Sequence, residues 1–201
     1  DIGKNCPLGP AVMAVRVIDF EKQDFTGVIA ATVLYFLLQE LFMCNQVFAK
    51  LAFSKNNDPS TFDRFDYSNR HWESADRSFG NFVEQTPYFV TMMWVFALFC
   101  GAESSAQGAY FYIAFRLLFP VFWAVGGKWN ALIELSTQPC YAVLNYWKAS
   151  LIYLVFTGNR LVDKLPPSTA LFVLACIAIH VVLTLVTFVP GYGFFRVLKL
   201  G

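Results

Sequence analysis

Residues 169–189 read TALFVLACIAIHVVLTLVTFV and contain no Asp, Glu, Lys or Arg. A membrane-spanning α-helix needs about 20 predominantly apolar residues, so this stretch predicts a transmembrane helix. Other apolar blocks of similar length precede it at about residues 27–49, 81–101, 106–125 and 139–157. We therefore predict an all-α membrane protein with five spans.

The composition of the whole chain supports this prediction. Of the 201 residues, 57% are hydrophobic and 14% are charged, whereas a soluble domain has roughly 25% charged residues. The formal net charge is +1, which offers no basic surface for nucleic acid. We expect contact with the lipid bilayer and no nucleic-acid partner.

The cysteines form neither a CxxC motif nor the spacing of a metal site; they are Cys6, Cys44, Cys100, Cys140 and Cys176. Their odd number argues against a disulfide framework. In apolar segments a thiol behaves as a small hydrophobic group. We expect structural roles for the thiols and no metal cluster.

The chain is predicted to have three parts. Residues 1–26 carry mixed charges and are too short and too charged to span, so we expect them to lie along the membrane interface. Residues 27–158 hold four apolar blocks and are predicted to form a four-helix membrane domain. Residues 159–201 add a fifth transmembrane helix and a tail.

Counting Lys and Arg on each side places the connection between the first two spans on the cytoplasmic or equivalent face.

Polar residues at the start of the second span share one face of a helix. Glu73, Arg77, Asn81 and Glu84 are spaced by four, four and three residues, which brings their side chains to the same side. Arg binds a carboxylate through two hydrogen bonds, Glu accepts from an ammonium group, and Asn can serve either. The face suits a small zwitterion; the other interpretation is an intrahelical salt-bridge ladder that caps the span.

This segment resembles the signature of the MAPEG superfamily, the membrane-associated proteins of eicosanoid and glutathione metabolism. Residues 75–89 read ADRSFGNFVEQTPYF, with an Arg, an Asn four residues later, a Glu three residues after that, and then Pro87. Residues 112–127, YIAFRLLFPVFWAVGG, are similar to the third helix of the family, and Arg116 stands in the place of its characteristic Arg. The resemblance covers roughly residues 27–158.

The resemblance implies a left-handed four-helix bundle, usually a homotrimer, with glutathione between neighbouring subunits. It also implies that glutathione is contacted by Arg77, Asn81, Glu84 and Arg116. Family enzymes use a Tyr seven residues after the third-helix Arg, and a second Arg that stabilises the glutathione thiolate. Here position 123 is Trp, and Lys128 is the cation nearest to the expected second Arg. The binding part of the site is therefore expected without its thiolate-activating part.

The fifth span is an addition to the four helices that the resemblance implies. His180 lies near its middle. An imidazole at this depth can ligate a haem or a chlorophyll, or it can hydrogen-bond to a neighbouring helix. Both interpretations are compatible with the sequence.

Two residues in other spans predict local features of the bundle. Pro120 is expected to kink the third span beside Arg116 and to open a gap of the kind that accommodates lipid tails or cofactors. Lys148 interrupts the fourth span, and it needs a partner such as Glu40 or Glu84 or a route to the interface.

Three functions are compatible with these features. The missing Tyr and Arg, together with the added span, favour an accessory or structural subunit of a larger respiratory or photosynthetic membrane complex. The alternatives are an active glutathione transferase or peroxidase of the microsomal type, and a non-catalytic protein that presents a lipid or another ligand.

The chain begins at Asp1 rather than at Met, which favours an imported organellar protein. The expected location is the mitochondrial inner or the thylakoid membrane, with the endoplasmic reticulum as the alternative.

Overall fold

The computed structural model of the protein describes residues 23–126, 130–165 and 168–199. Five long helices make up most of these ranges: α1 (Thr26–Asn56), α2 (Arg70–Phe99), α3 (Ala102–Gly126), α4 (Ala131–Thr157) and α5 (Thr169–Lys199). Each predicted apolar block lies on its own helix, except that the second block ends at Cys100 and Gly101, just beyond α2, and the described ranges contain no strand. The all-α fold is confirmed, whereas most of the predicted interfacial segment, residues 1–22, lies outside the described residues.

Local signals in the sequence set several of the helix ends. The side-chain oxygen of Asn69 accepts from the backbone N–H of Trp72 at the start of α2, and Asn130 does the same for Leu132 at the start of α4. Gly158 ends α4 in a left-handed conformation, with φ of 68°, which glycine adopts without steric cost. Helix α2 begins well before its apolar block, because the polar segment that starts at Arg70 already has a capping residue.

The helices differ in how well each would cross a membrane by itself. Among the described residues, α1, α3 and α5 are long and apolar enough to span a bilayer. Helices α2 and α4 carry more polar side chains, such as Arg77 and Lys148. They also bury large side chains, including Phe89, Phe96 and Trp147. Neighbouring helices pack against both α2 and α4, so some of their polar side chains, such as Asn145, face protein instead of lipid.

An aromatic core joins the first four helices. Helix α2 packs against α1, α3 and α4, and α3 packs against both α1 and α4. The ring of Tyr35 on α1 lies 4.5 Å from both Phe82 and Phe89 on α2, and Phe89 stacks on Tyr112 of α3 at 4.1 Å. At Gly108 a Cβ atom would come within 3.0 Å of the Trp147 indole, so glycine allows α3 and α4 to approach closely.

Helix α5 packs mainly along α4. Its buried residues are Phe172 and Cys176, both in its first half. Beyond His180 most of its apolar side chains are exposed, and the exposed fraction of Val189 reaches 72%. An apolar helix surface of this extent requires lipid or another protein against it.

Candidate ligand site between helices α2 and α3

Arg116 lies at the centre of the candidate site. Helix α3 directs this side chain toward α2, where it is 2% exposed. Its guanidinium donates a hydrogen bond to the side-chain oxygen of Asn81. It also lies over the rings of Phe119, at 4.9 Å, and Phe82, at 5.8 Å. Two residues predicted from the sequence are therefore in direct contact.

The charge of Arg116 has little compensation in the described part of the chain. The ion pairs found there are Arg64–Asp76 and Arg160–Asp163, and neither involves Arg116. Its Nε atom is buried and has no hydrogen-bond partner. A buried cation that meets one neutral amide and two aromatic faces is only partly stabilised. The arrangement favours an anion beside the guanidinium.

Arg77 and Glu84 lie on the outer part of the same α2 face. Both are exposed, and the Arg77 guanidinium stacks over the ring of Tyr67 at 4.7 Å. The described residues contain no ion pair of Arg77 with Glu73 or Glu84, so the salt-bridge ladder considered above is not formed. Arg77 contacts an aromatic ring instead. The structure thus brings Asn81 and Arg116 together inside the bundle, whereas Arg77 and Glu84 face outward.

Asp76 fixes the position of the ring under Arg77. Its carboxylate accepts from the Tyr67 hydroxyl at 2.8 Å and from the Gln46 amide of α1 at 2.9 Å, and Arg64 lies 3.7 Å away. The hydrogen bond to Asp76 raises the pKa of Tyr67, because it stabilises the protonated phenol. The connection between α1 and α2 is thereby tied to both helices. Neither Asp76 nor Tyr67 belongs to the recognised signature, and the position of Asp76 next to Arg77 is the only hint in the sequence.

Tyr141 lies near Arg116, and Trp123 packs on Phe119, the ring that Arg116 contacts. Tyr141 of α4 is half-buried and lies within electrostatic range of Arg116, Glu84 and Glu134. The Trp123 ring stacks on Phe119, with centroids 6.1 Å apart, so an indole takes the place of the expected phenol. Lys128, the other residue considered for activation, lies outside the described residues.

His180 is hydrogen-bonded to α4 through both ring nitrogens. Its Nδ1 atom lies 2.9 Å from the amide nitrogen of Asn145, and its Nε2 atom lies 2.8 Å from the amide oxygen of Gln138. An amide nitrogen only donates and an amide oxygen only accepts, so the pattern fits a neutral ring with its hydrogen on Nε2. A haem or chlorophyll at His180 would have to displace one of these bonds. Ligation of a pigment or haem stays a prediction.

These bonds belong to a longer α4–α5 polar chain, formed by Lys148, Asn145, His180, Gln138 and Glu134. The Lys148 ammonium donates to the oxygen of Asn145 at 3.1 Å, and the Gln138 amide donates to the Glu134 carboxylate. Lys148 also lies 5.7 Å from the centre of the Tyr88 ring. The ion pair expected for Lys148 is not formed among the described residues. Each donor group of the α4–α5 polar chain meets an acceptor. These hydrogen bonds connect α5 to α4 within the apolar region.

Part of the chain matches the model of a known protein family. The family model for the MAPEG family matches residues 28–145, which include α1, α2, α3 and the first half of α4. The four residues considered for glutathione lie within that range, and α5 lies beyond it. No curated protein and no solved structure matches the chain.

Proposed function

The chain belongs to the MAPEG family, and from this membership we propose that it binds glutathione between α2 and α3 as a non-catalytic accessory subunit of a larger membrane complex. The family and the apolar helices make it an integral membrane protein of the glutathione and eicosanoid superfamily. The finer location that we propose is an organellar membrane, mitochondrial inner or thylakoid, with the endoplasmic reticulum as the alternative.

The buried guanidinium of Arg116 is the observation that carries glutathione binding. A charge inside a protein costs several kcal/mol, in rough terms, unless an opposite charge or several hydrogen bonds compensate it. The Arg116 guanidinium contacts the Asn81 side chain and the faces of two aromatic rings, and its Nε atom has no hydrogen-bond partner. A carboxylate can accept two parallel hydrogen bonds from one guanidinium. A carboxylate of glutathione would supply the missing anion.

The outward-facing residues extend this site to a zwitterionic peptide. Glutathione carries two carboxylates and one ammonium group. Arg77 is available to bind the second carboxylate, and Glu84 is available to accept from the ammonium. Both are exposed on the face of α2 that carries Asn81. A site of this kind would be completed by a neighbouring subunit, either in a homotrimer or in a larger complex.

The ring at position 123 supports binding without activation of the thiol. A free thiol has a pKa of about 8.5 and needs a nearby cation or donor to ionise at neutral pH. Trp123 stacks on Phe119 at the position where family enzymes carry a Tyr, so the phenol hydroxyl that those enzymes use is absent. The bound thiol is therefore expected to remain largely protonated.

Titration calorimetry on the detergent-solubilised protein tests the site. Replacing Arg116 by Met keeps a long side chain and removes the charge, and we expect it to weaken glutathione binding at least about tenfold, or about 1.4 kcal/mol. Arg160→Met is the matched control, because Arg160 pairs with Asp163 at the opposite end of the bundle. Equal affinity in the wild type and in Arg116→Met would overturn the assignment of this site.

An active glutathione transferase or peroxidase is the second candidate. It is favoured by Arg116 and Tyr141, which lie within electrostatic range of one another, because a nearby cation lowers the pKa of a thiol. The same samples separate the two functions. An enzyme would show thiolate absorbance on binding glutathione and would turn over an electrophile, whereas a binding subunit would show affinity alone.

The surface of α5 supports the role as an accessory subunit. The family match ends at residue 145, so this helix is additional to the matched region. Most of its apolar side chains beyond His180 are exposed, among them Leu185, Phe188 and Phe195 at 56–66%. A helix of this kind can pack against another membrane subunit without changing the α2–α3 site.

A further inference from the structure

A cleft of about 1140 Å³ lies between α1, the start of α2 and the end of α3. None of the four residues considered for glutathione lines it, so the cleft is separate from the site around Arg116. It lies where the polar connection between α1 and α2 meets the helices. Its occupant can therefore be considered independently of glutathione binding.

The walls of the cleft are apolar and open toward lipid. The lining side chains include two from α1, Leu41 and Phe48, and two from α3, Leu117 and Val121. These four side chains are 46–68% exposed. Helices α1 and α3 are both apolar enough to span a bilayer. Pro120 also lines the cleft, so the gap expected at this proline coincides with an open groove. These walls suit a hydrocarbon chain.

One end of the cleft carries positive charge. Arg70 and His71 line it at the start of α2, and both are exposed. Arg70 donates to the backbone oxygen of Ala124 at 3.4 Å, a long bond that leaves its other donors available. The described residues that line the cleft include no Asp or Glu. This end therefore suits an anionic group.

The order of polar and apolar residues along the cleft matches the orientation of a lipid in one leaflet. On α1 the lining residues run from Leu41 to Ala52, a length of about 16 Å at about 1.5 Å per residue. Half of the hydrocarbon core of a bilayer is about 15 Å thick. Arg70 and His71 lie at the end near the connection between α1 and α2, and the apolar residues lie deeper.

We propose that this cleft binds a bilayer phospholipid with an anionic headgroup. Arg70, beside His71, attracts the net negative charge of the headgroup, which a zwitterionic phosphatidylcholine lacks, and one acyl chain lies between α1 and α3 along Leu41, Leu117 and Val121. The count of Lys and Arg places this end on the cytoplasmic or equivalent face, where basic pockets between transmembrane helices bind anionic headgroups. The lipid would cover apolar surface that the bundle itself leaves exposed.

Thermal unfolding of the full chain in mild detergent tests the proposal. Phosphatidylglycerol and phosphatidylcholine with the same acyl chains are added in turn. We expect phosphatidylglycerol to raise Tm by at least about 3 °C more than phosphatidylcholine, because a ligand stabilises the folded state that binds it. The double variant Arg70→Gln/His71→Gln should lose this difference. Lys55→Gln removes an exposed cation of α1 that does not line the cleft, and it should keep the difference.

Further outcomes identify the part of the lipid that is bound. Val121→Trp fills the groove and should reduce stabilisation by both lipids. Equal stabilisation by the two lipids in the wild type would overturn the proposal, as would a difference that persists in the double variant. Stabilisation by glycerol phosphate equal to that by phosphatidylglycerol would also overturn it, because the site would then bind an anion without an acyl chain.

Discussion

At the scale of a single residue, Arg116 is a buried charge that the proposed glutathione site would use for binding instead of stability. Its guanidinium contacts Asn81, Phe82 and Phe119, and no carboxylate pairs with it in the described ranges. Removing water from a charge costs more free energy than one neutral hydrogen bond returns. A residue of this kind is expected to destabilise the unliganded protein.

Arg116→Met should therefore leave the stability of the unliganded protein unchanged or raise it by up to about 2 kcal/mol. Asn81→Leu is the contrasting variant, because it removes the amide that the buried guanidinium contacts, and it should lower stability by about 3 kcal/mol. Both are measured by thermal unfolding without glutathione. A loss of more than about 2 kcal/mol in Arg116→Met would indicate that Arg116 stabilises the bundle.

At the scale of the elements, α5 is held to α4 by buried apolar contacts and by the α4–α5 polar chain. Phe172 and Cys176 provide the buried contacts. His180 bonds Asn145 and Gln138, and the chain continues to Lys148 and Glu134. Apolar surfaces in a bilayer give little preference for one helix over lipid, so polar contacts contribute much of the specificity between helices.

His180→Leu should loosen the packing of α5 on α4, because it removes the partner of the Asn145 amide nitrogen and of the Gln138 amide oxygen. Cys176 is 2% exposed at this interface, and its reaction with a maleimide reports opening of the two helices. We expect labelling to accelerate about tenfold, equivalent to about 1.4 kcal/mol. Site-resolved mass spectrometry separates Cys176 from the exposed Cys44.

Thr187→Leu is the matched control for this experiment. Thr187 lies on the exposed part of α5 and bonds only to backbone oxygens of its own helix. Its replacement should leave the labelling of Cys176 unchanged. Equal labelling rates in the two variants would show that His180 does not hold α5 against α4.

At the scale of the whole molecule, the α2–α3 site and α5 occupy different parts of the bundle. Site residues Asn81 and Arg116 lie within the range that matches the family, whereas α5 begins after it and packs mainly on α4. Gly158 ends α4 before the connection between α4 and α5. The first four helices should therefore fold and bind glutathione without the fifth.

A chain that ends at Asn159 should keep its affinity for glutathione within about twofold, because the binding residues do not contact α5. The same truncation should separate the protein from the proposed larger complex, since it removes the exposed apolar helix. Both forms are extracted from source membranes in mild detergent and compared on a native gel. Migration of the full chain near the mass of a homotrimer would contradict the accessory-subunit proposal and favour the enzyme.

The sequence by itself determined the helical membrane class, the five helices and the family. Hydropathy and helical spacing are properties of neighbouring residues, so residues 169–189 predict a span, and Arg77, Asn81 and Glu84 predict a common face. The tertiary structure alone decided which faces meet. The bond between Arg116 and Asn81 joins residues 35 positions apart, and the bond between His180 and Gln138 joins residues 42 apart. Spacing along one helix specifies a direction from that helix, whereas the neighbour in that direction depends on how the helices pack.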